Sequence, residues 1–286
     1  MKIAIASGKG GTGKTTVAVN LALVLASKEL LTSYCDCDVE APNGHIFLKP
    51  DIEYRHTVSI PAPKVNMDLC DGCRACSDIC RFSAIVVLKG EVLTYPELCH
   101  GCGGCRMVCS PNAIEEVDRA IGTVIVGNTN QLLYVAGRLN IGEASAVPLI
   151  RKVKSELPEN GFSIIDAPPG TSCPVIETMR GVDYVLLVTE PTPFGLNDLR
   201  LAVETVRKLD LPFSVIINRS DIGNDDVEMY CGVEGIEVIA RIPYSREIAE
   251  AYSRGDMLIN HIPNQIELYS VLSDRLLEHV SSRVAV

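Results

Sequence analysis

Short apolar runs alternate with longer stretches of mixed polarity along most of the chain. Nearly continuous apolar runs lie at residues 3–6, 163–165, 184–188 and 215–217. Such runs are typical of strands that are buried on both faces of a parallel sheet. Between them, helical patterns occupy residues 15–27, 146–156, 196–209 and 245–254. Strands that alternate with helices predict an α/β fold with a doubly wound, mostly parallel sheet.

One segment interrupts this rhythm. Pro61 and Pro63 open a region that collects most of the cysteines, and the strand–helix pattern resumes near Gly122. Inside the region four cysteines and an Ala-Ile pair recur 29 residues later, so that Cys70, Cys73, Cys76, Cys80 and Ala84-Ile85 return as Cys99, Cys102, Cys105, Cys109 and Ala113-Ile114. The spacing of the repeated cysteines resembles that of bacterial two-cluster ferredoxins, which implies a small α+β, ferredoxin-like domain over residues 61–119. We expect it to be inserted into a surface loop of a discontinuous domain over residues 1–60 and 120–286.

Composition narrows the choice of partners and compartment. A net charge of −10, without a run of basic residues, argues against a nucleic-acid partner. The apolar N-terminal stretch is too short for a secretion signal, and no apolar run is long enough to span a bilayer. Residues 266–286 predict a packed terminal helix and not a membrane anchor, because acidic side chains offset its arginines. We therefore expect a cytoplasmic protein.

The first predicted strand runs into a glycine-rich loop that satisfies the P-loop pattern, with Gly8 and Gly13 as its fixed glycines. Its backbone N–H groups are expected to close around phosphate oxygens at the positive end of the following helix. Lys14 would bridge the β- and γ-phosphates, and the Thr15 hydroxyl would ligate Mg²⁺. The alternative is a tight strand–helix turn that binds nothing. The predicted nucleotide-binding residues of the loop are Gly8, Lys9, Gly10, Gly11, Thr12, Gly13, Lys14, Thr15 and Thr16.

A second lysine at position 9 makes the loop unusual. The sequence Gly-Lys-Gly-Gly-Thr-Gly-Lys-Thr resembles the deviant Walker A motif of the MinD/ParA/Mrp ATPase family, whose members include the nitrogenase iron protein. The resemblance implies an ATP-dependent homodimer in which Lys9 reaches the phosphates bound by the other copy. A lysine supplied in this way neutralises transition-state charge as an arginine finger does. A solvated loop lysine is the alternative.

Two further segments carry the same resemblance. Residues 34–38 are similar to the family's switch I, which implies that Asp38 positions or activates the attacking water and that Asp36 lies near the metal. Residues 164–171 are similar to its Walker B and switch II segment. This similarity implies that Asp166 holds Mg²⁺ through water and that the Gly170 amide senses the γ-phosphate.

Recognition of the base is assigned to the end of the last predicted strand. Asn218 resembles the asparagine that contacts adenine in this family, with a buried strand-capping asparagine as the alternative. The loop at Pro243 and Tyr244 is a second candidate. The resemblance thus implies an ATPase whose ligands are ATP or ADP and Mg²⁺, and whose catalytic residues are Lys9, Lys14, Asp38 and Asp166.

Each cysteine run reads C-x₂-C-x₂-C-x₃-C, the spacing of bacterial two-cluster ferredoxins, in which the fourth cysteine of one run ligates the cluster of the other. The predicted ligands of one [4Fe-4S] cluster are Cys70, Cys73, Cys76 and Cys109, and those of the other are Cys80, Cys99, Cys102 and Cys105. Zinc and structural disulfides are the alternatives. Arg81 departs from the pattern, because ferredoxins have proline directly after the fourth cysteine.

The remaining cysteines lack metal spacing. Cys35 and Cys37 alternate along a predicted strand and are interpreted as small buried hydrophobic residues. Cys173 follows the switch II segment and is interpreted as structural, with a redox or ligand role as the alternative.

The whole chain resembles MinD-superfamily ATPases with an inserted ferredoxin domain, and three functions are compatible with this organisation. The leading hypothesis is ATP-gated electron transfer to a redox partner, in which closure of a dimer controls the two clusters. The second is assembly or delivery of iron–sulfur clusters to an apo-protein. The third is a positioning or scaffolding ATPase whose ferredoxin insert is structural.

Overall fold

The computed structural model describes residues 1–129 and 132–284, in which strands and helices largely alternate outside the cysteine-rich region. The strands are β1 (Lys2–Ala6), β2 (Thr32–Asp36), β3 (Asp51–Val65), β4 (Ile85–Leu88), β5 (Glu91–Thr94), β6 (Ile114–Thr129), β7 (Leu132–Leu139), β8 (Phe162–Asp166), β9 (Tyr184–Thr189), β10 (Phe213–Asn218) and β11 (Val238–Ile242). The helices are α1 (Lys14–Ser27), α2 (Gly44–Leu48), α3 (Ala75–Ile79), α4 (Gly104–Met107), α5 (Val147–Ser155), α6 (Cys173–Met179), α7 (Pro193–Lys208), α8 (Asp226–Val233), α9 (Arg246–Arg254), α10 (Leu258–His261) and α11 (Pro263–Val284). All four predicted strands and all four predicted helices are present, with ends that differ by a few residues.

A nine-stranded sheet in the order β11-β10-β9-β1-β8-β2-β7-β6-β3 forms the centre of the molecule. The strands from β11 to β7 pair in parallel, whereas β6 is antiparallel to both of its neighbours. β1, which leads into the glycine-rich loop, lies between β8 and β9. The mostly parallel α/β sheet is therefore confirmed.

Two hydrophobic cores lie on opposite faces of this sheet. Successive side chains of a strand point to opposite faces, so Ile3 and Ile5 belong to one core and Ala4 and Ala6 to the other. The first core is covered by α1, α10 and α11, and the second by α5, α6 and α7. Helices thus cover both faces, as expected for a doubly wound fold.

The C-terminal helix α11 packs against α1 and buries Tyr269, Leu272 and Leu276. This confirms the predicted packed terminal helix within the described residues, while positions 285 and 286 of the prediction lie outside them. Among the helices of residues 1–129 and 132–284, none has the length and apolar character needed to cross a membrane.

A long antiparallel ribbon connects the sheet to the cysteine-rich region. β3 and β6 pair from Asp51 opposite Asn128 to Val65 opposite Ile114, and residues 66–113 lie at the far end of this ribbon. The β4–β5 hairpin and the short helices α3 and α4 enclose a small core of Cys76, Ile85, Val87 and Ile114. Both ribbon strands run through the predicted domain limits at 60/61 and 119/120, which stay a prediction.

Candidate nucleotide site and cysteine cavities

The loop between β1 and α1 depends on two glycines. Gly13 has φ +94°, a left-handed conformation that favours glycine, and it lies directly before the first residue of α1. A Cβ added at Gly13 would lie 2.4 Å from Nδ2 of Asn218, and one at Gly8 would lie 2.1 Å from the carbonyl oxygen of Asp198. Larger side chains are therefore excluded by close packing at both fixed glycines of the motif.

A cavity of about 400 Å³ opens beside the N-terminus of α1. Ten of the predicted nucleotide-site residues line it, namely Gly10, Gly11, Gly13, Lys14, Thr15, Thr16, Asp38, Asn218, Pro243 and Tyr244. Asn43, Pro169, Arg219, Ser245 and Tyr252 also line the cavity, and sequence reasoning did not assign them to it. The helix N-terminus and its lysine give this cavity the character of an anion site.

The other predicted residues lie around the cavity without lining it. Gly8 and Thr12 support the loop, and the Thr12 carbonyl accepts a hydrogen bond from the Asn218 amide at 2.8 Å. The Gly170 amide, which was assigned to the γ-phosphate, donates to the Ser7 carbonyl at 3.0 Å. Asn218 thus braces the glycine-rich loop in addition to facing the cavity.

Asp36, predicted to lie near the metal, is fully buried at the end of β2. Its carboxylate accepts the backbone N–H groups of Asp38, Asn43 and Gly44, at 3.2, 3.0 and 2.9 Å. Burial raises the pKa of Asp36 to about 8, and the nearby Asp166 acts in the same direction. In this structure Asp36 therefore fixes the segment that carries Asp38, and its predicted role as a metal ligand stays a prediction.

Asp166 ends β8 beneath the loop and is also buried. One carboxylate oxygen accepts the hydroxyl of Tyr34 at 3.0 Å. The nearby Thr15 side chain lowers the pKa of the same carboxyl, against the larger effect of burial, which raises it. The other oxygen, Oδ1, is buried without a hydrogen-bond partner among the described residues. A free carboxylate oxygen beside a threonine hydroxyl is a donor set that suits Mg²⁺.

Burial also shifts the charged groups at the cavity wall. It lowers the pKa of Lys14, while the attraction of Asp166 and Asp38 acts in the opposite direction. It raises the pKa of Asp38 against the attraction of Lys14. Bringing a polyphosphate to this wall would stabilise the protonated lysine.

Lys9 is held by an acidic residue from a distant part of the chain. Its ammonium forms an ion pair with Glu190, which directly follows β9, and Glu190 also binds Arg219 at 2.9 Å. Sequence reasoning gave Glu190 no role. The separation of 181 positions between Lys9 and Glu190 explains why no local signal pointed to the pair.

The insert contains two cavities that are each lined by four cysteines. Cys70, Cys73, Cys76 and Cys109 line one of them, and Cys80, Cys99, Cys102 and Cys105 line the other. Each set combines three cysteines of one run with the fourth of the other run, as in the predicted ligand sets. Within the described residues no three His, Cys, Asp or Glu side chains are placed to hold a single metal ion.

The backbone of the insert repeats the symmetry of its sequence. Left-handed φ values occur at Gly72, Arg74 and Ser83, and again 29 residues later at Gly101, Gly103 and Asn112. Amides point at cysteine sulfurs, because Gly101 donates to Cys99 Sγ at 3.4 Å and Ala113 donates to Cys109 Sγ at 3.2 Å. A turn that presents N–H groups to thiolates is suited to iron–sulfur ligation.

The remaining cysteines differ in their surroundings. Cys35 and Cys37 are fully buried with their sulfurs 3.6 Å apart, which confirms their interpretation as buried residues. Cys173 is exposed at the first position of α6. Its assignment as structural stays a prediction.

A strand, a glycine-rich loop and a buried lysine at a helix N-terminus, set in a doubly wound sheet, define a P-loop nucleotide-binding protein. The chain belongs to the family described as the CobQ/CobB/MinD/ParA nucleotide binding domain, whose model matches residues 3–259. Two uncharacterized proteins of Methanocaldococcus jannaschii are similar to it. One is 29% identical and covers 93% of this chain and 95% of its own length. The other is 35% identical, over 78% of this chain and 80% of its own length.

A more distant sequence relative and a solved structure are also similar to this chain. A protein of Pyrococcus horikoshii named iron-sulfur cluster carrier protein is 26% identical, over 89% of this chain and 77% of its own length. Among solved structures, the septum site-determining protein MinD of Pyrococcus horikoshii, complexed with Mg-ADP, superimposes with a TM-score of 0.61 at 20% identity. That match covers 96% of this chain and 95% of the MinD chain. It identifies the fold.

Proposed function

We propose that the chain binds ATP with Mg²⁺ in the cavity beside α1 and hydrolyses it. Lys14 lines this cavity and supplies the positive charge that the β- and γ-phosphates require. Thr15 and the partner-free oxygen of Asp166 would hold the metal ion. Asp38, on the cavity wall, would position the attacking water.

Lys9 supports the proposal that two copies pair around ATP. Its side chain is about one-third exposed and stands beside the loop, held by Glu190. Pairing of two copies would exchange this contact for one with the phosphates bound by the other copy. The exchange places a second positive charge where negative charge develops during phosphoryl transfer.

The two four-cysteine cavities carry the second half of the proposal. Cys70, Cys73, Cys76 and Cys109 would hold one [4Fe-4S] cluster, and Cys80, Cys99, Cys102 and Cys105 the other. When bound, such clusters supply one-electron storage and transfer. The chain itself supplies amides that donate to the sulfurs, and apolar walls, including Ile85 and Val87, that limit the access of water.

We therefore infer that the protein is an ATPase that couples its nucleotide state to electron transfer toward a redox partner. The observation that carries this inference is the location of both cysteine sets at the end of the β3–β6 ribbon, which continues the nucleotide-binding sheet. β2 leads into Asp38 at the cavity wall and pairs with β7, which in turn pairs with the ribbon strand β6.

The composition of the protein purified without oxygen tests this proposal. We expect about eight iron and about eight sulfide per chain, as two cubanes require, together with ATP hydrolysis. Lys14→Ala should keep the iron and sulfide and lose hydrolysis. Stoichiometric zinc in place of iron, or hydrolysis that Lys14→Ala leaves unchanged, would contradict the proposal.

Delivery of clusters to an apo-protein is a second candidate function. The relative named iron-sulfur cluster carrier protein favours it, and so does the exposure of one cysteine in each set, Cys73 and Cys102. A cluster that is delivered leaves the donor, whereas a cluster that transfers electrons stays. Measuring iron in both proteins after incubation with an apo-ferredoxin separates the two functions. Loss of iron from this chain would favour delivery.

A further inference from the structure

Arg119 bridges the cysteine insert and the nucleotide-binding domain. It lies in β6 opposite Ile60 of β3, at the base of the insert. One guanidinium nitrogen donates to the carbonyl oxygen of Cys99 at 3.3 Å, and another forms an ion pair with Glu143 at 2.6 Å. Both side chains are largely buried, with 16% and 8% of their surfaces exposed. Arg119 thus joins a predicted cluster-binding residue to a distant carboxylate.

Glu143 belongs to the turn that connects β7 to α5. Two hydrogen bonds from Asn140 attach this turn to β6. Its backbone N–H donates to the Ile121 carbonyl at 2.9 Å, and its side-chain amide donates to the Ala120 carbonyl at 3.1 Å. The turn therefore cannot move far without moving the base of the ribbon.

The same turn is attached to the segment that lines the nucleotide cavity. The N–H of Leu139, the last residue of β7, donates to the carbonyl of Val39 at 2.8 Å. Val39 is buried against Gly137, where an added Cβ would lie 2.5 Å from its Cγ1 atom. Val39 follows Asp38, which lines the cavity. A continuous series of tight contacts thus leads from Asp38 to Cys99.

On the basis of the proposed function, we propose that the Arg119–Glu143 pair transmits the nucleotide state to one cysteine cavity. This cavity is the one lined by Cys80, Cys99, Cys102 and Cys105. A buried ion pair is costly to break, so the two side chains move as a unit. The forked guanidinium binds two acceptors at fixed angles, which a lysine cannot do. A shift of residues 38–39 on ATP binding would reach the Cys99 loop through this pair. The proposed transmission does not involve the cavity lined by Cys70, Cys73, Cys76 and Cys109.

A matched control lies in the same insert. Arg106 and Glu116 form an ion pair at 2.8 Å, and Glu116 lines the same cysteine cavity. Neither residue of this pair contacts the turn after β7 in the hydrogen bonds or ion pairs of the described chain. Glu116→Gln removes one negative charge at the cavity, as Glu143→Gln does near it, but leaves the proposed connection intact.

Hydrogen exchange followed by mass spectrometry tests the proposal on the cluster-loaded protein. In the wild type, we expect the amides of residues 99–105 to exchange at different rates with Mg-ATP and with Mg-ADP. In Glu143→Gln, we expect this difference to disappear. Glu116→Gln should retain it. A reductive titration followed by electron paramagnetic resonance gives an independent readout. The reduction potential of one cluster only should differ between Mg-ATP and Mg-ADP.

A difference that persists at wild-type size in Glu143→Gln would overturn the proposal and leave the proposed function standing. Wild-type protein whose electron transfer depends on nucleotide, but whose residues 99–105 exchange alike with both nucleotides, would overturn it in the same way. If Glu143→Gln loses iron, Arg119→Lys replaces it. That variant keeps a positive charge for Glu143 and lacks the planar fork that reaches Glu143 and Cys99 at the same time. We therefore expect the nucleotide difference to disappear, and its retention would contradict the proposal.

Discussion

Lys9 has two competing partners in this account, Glu190 within the chain and the phosphates of a second copy. In the proposed dimer the ion pair with Glu190 would oppose association, because it must open before Lys9 can reach the other copy. Partly exposed ion pairs contribute up to about 1 kcal/mol, which corresponds to about a fivefold change in an equilibrium constant. Arg219 remains beside Glu190 after Lys9 leaves, so the carboxylate is not left unpaired.

Glu190→Gln is therefore expected to lower the protein concentration needed for ATP-dependent dimer formation by up to about fivefold. Analytical ultracentrifugation with Mg-ATP measures this change. Glu204→Gln, at an exposed position of α7, serves as the control and should match the wild type. Weaker dimer formation by Glu190→Gln would mean that Glu190 orients Lys9 instead of competing for it.

We expect the buried carboxyl of Asp36 to make the stability of the nucleotide-free protein depend on pH. Burial raises its pKa to about 8, above the value of about 3.9 in an unfolded chain. The folded state then holds the extra proton, and the stabilisation this gives is lost as pH rises from about 4 to 8. Asp36→Asn stays neutral, so its melting temperature relative to the wild type should increase with pH.

Thermal unfolding at pH 5, 6, 7 and 8 without nucleotide or magnesium measures this difference. A change of 1 kcal/mol corresponds to about 2–4 °C for a chain of this size class, which is readily resolved. Asp51→Asn, at an exposed position of β3, is the control for the loss of one negative charge. Parallel wild-type and Asp36→Asn curves would show that Asp36 does not titrate in this range.

The sequence predicts site residues within a local motif better than site residues that reach the site through long-range contacts. Lys14 and Thr15 follow from the motif, because a short loop between a strand and a helix fixes their positions. Tyr34, Glu190 and Arg219 carry no such local signal. They reach the site through sheet order and long-range pairing, which a single sequence does not display.

At the scale of elements, the apolar runs predicted the parallel strands well because those strands are buried on both faces. The β3–β6 ribbon was missed. Most of β3 is exposed, and Pro61 and Pro63 were interpreted as the start of the cysteine-rich region and not as part of a strand. Proline is tolerated in this strand because β3 is at the edge of the sheet and pairs with β6 alone.

The arrangement of the two cysteine runs makes an element-scale prediction. Cys109 belongs to the second run but lines the cavity of Cys70, Cys73 and Cys76. We expect Cys109→Ser and Cys76→Ser to lose the same cluster, so that iron falls from about eight to about four per chain in both. The paramagnetic resonance spectrum of the remaining reduced cluster should be the same in these two variants.

Cys80→Ser and Cys105→Ser should lose the other cluster and leave a different spectrum. Cys231→Ser, at a buried position of α8 outside the insert, controls for loss of a thiol and should keep all of the iron. A Cys109→Ser spectrum that matches Cys105→Ser would show that each run holds its own cluster, contrary to the exchange of fourth cysteines.

At the scale of the whole molecule, the ribbon makes the insert an extension of the sheet that carries the nucleotide site. The cysteine-rich region lies between Asp38 and Asp166 along the chain, and its assignment as an inserted domain stays a prediction. The sequence could not show that β7 lies between β2 and β6, since strand order is set by packing of the complete chain. That order brings the turn at Glu143, the ribbon base and Val39 together.

In the proposed function, the nucleotide state controls electron transfer by the two clusters of the insert. The most direct test measures, without oxygen, the rate at which the reduced protein transfers electrons to a one-electron acceptor dye. We expect the rate with Mg-ATP to differ from the rate with Mg-ADP, and Lys14→Ala to give the same rate with both. Equal rates for the wild type with both nucleotides would contradict the claim.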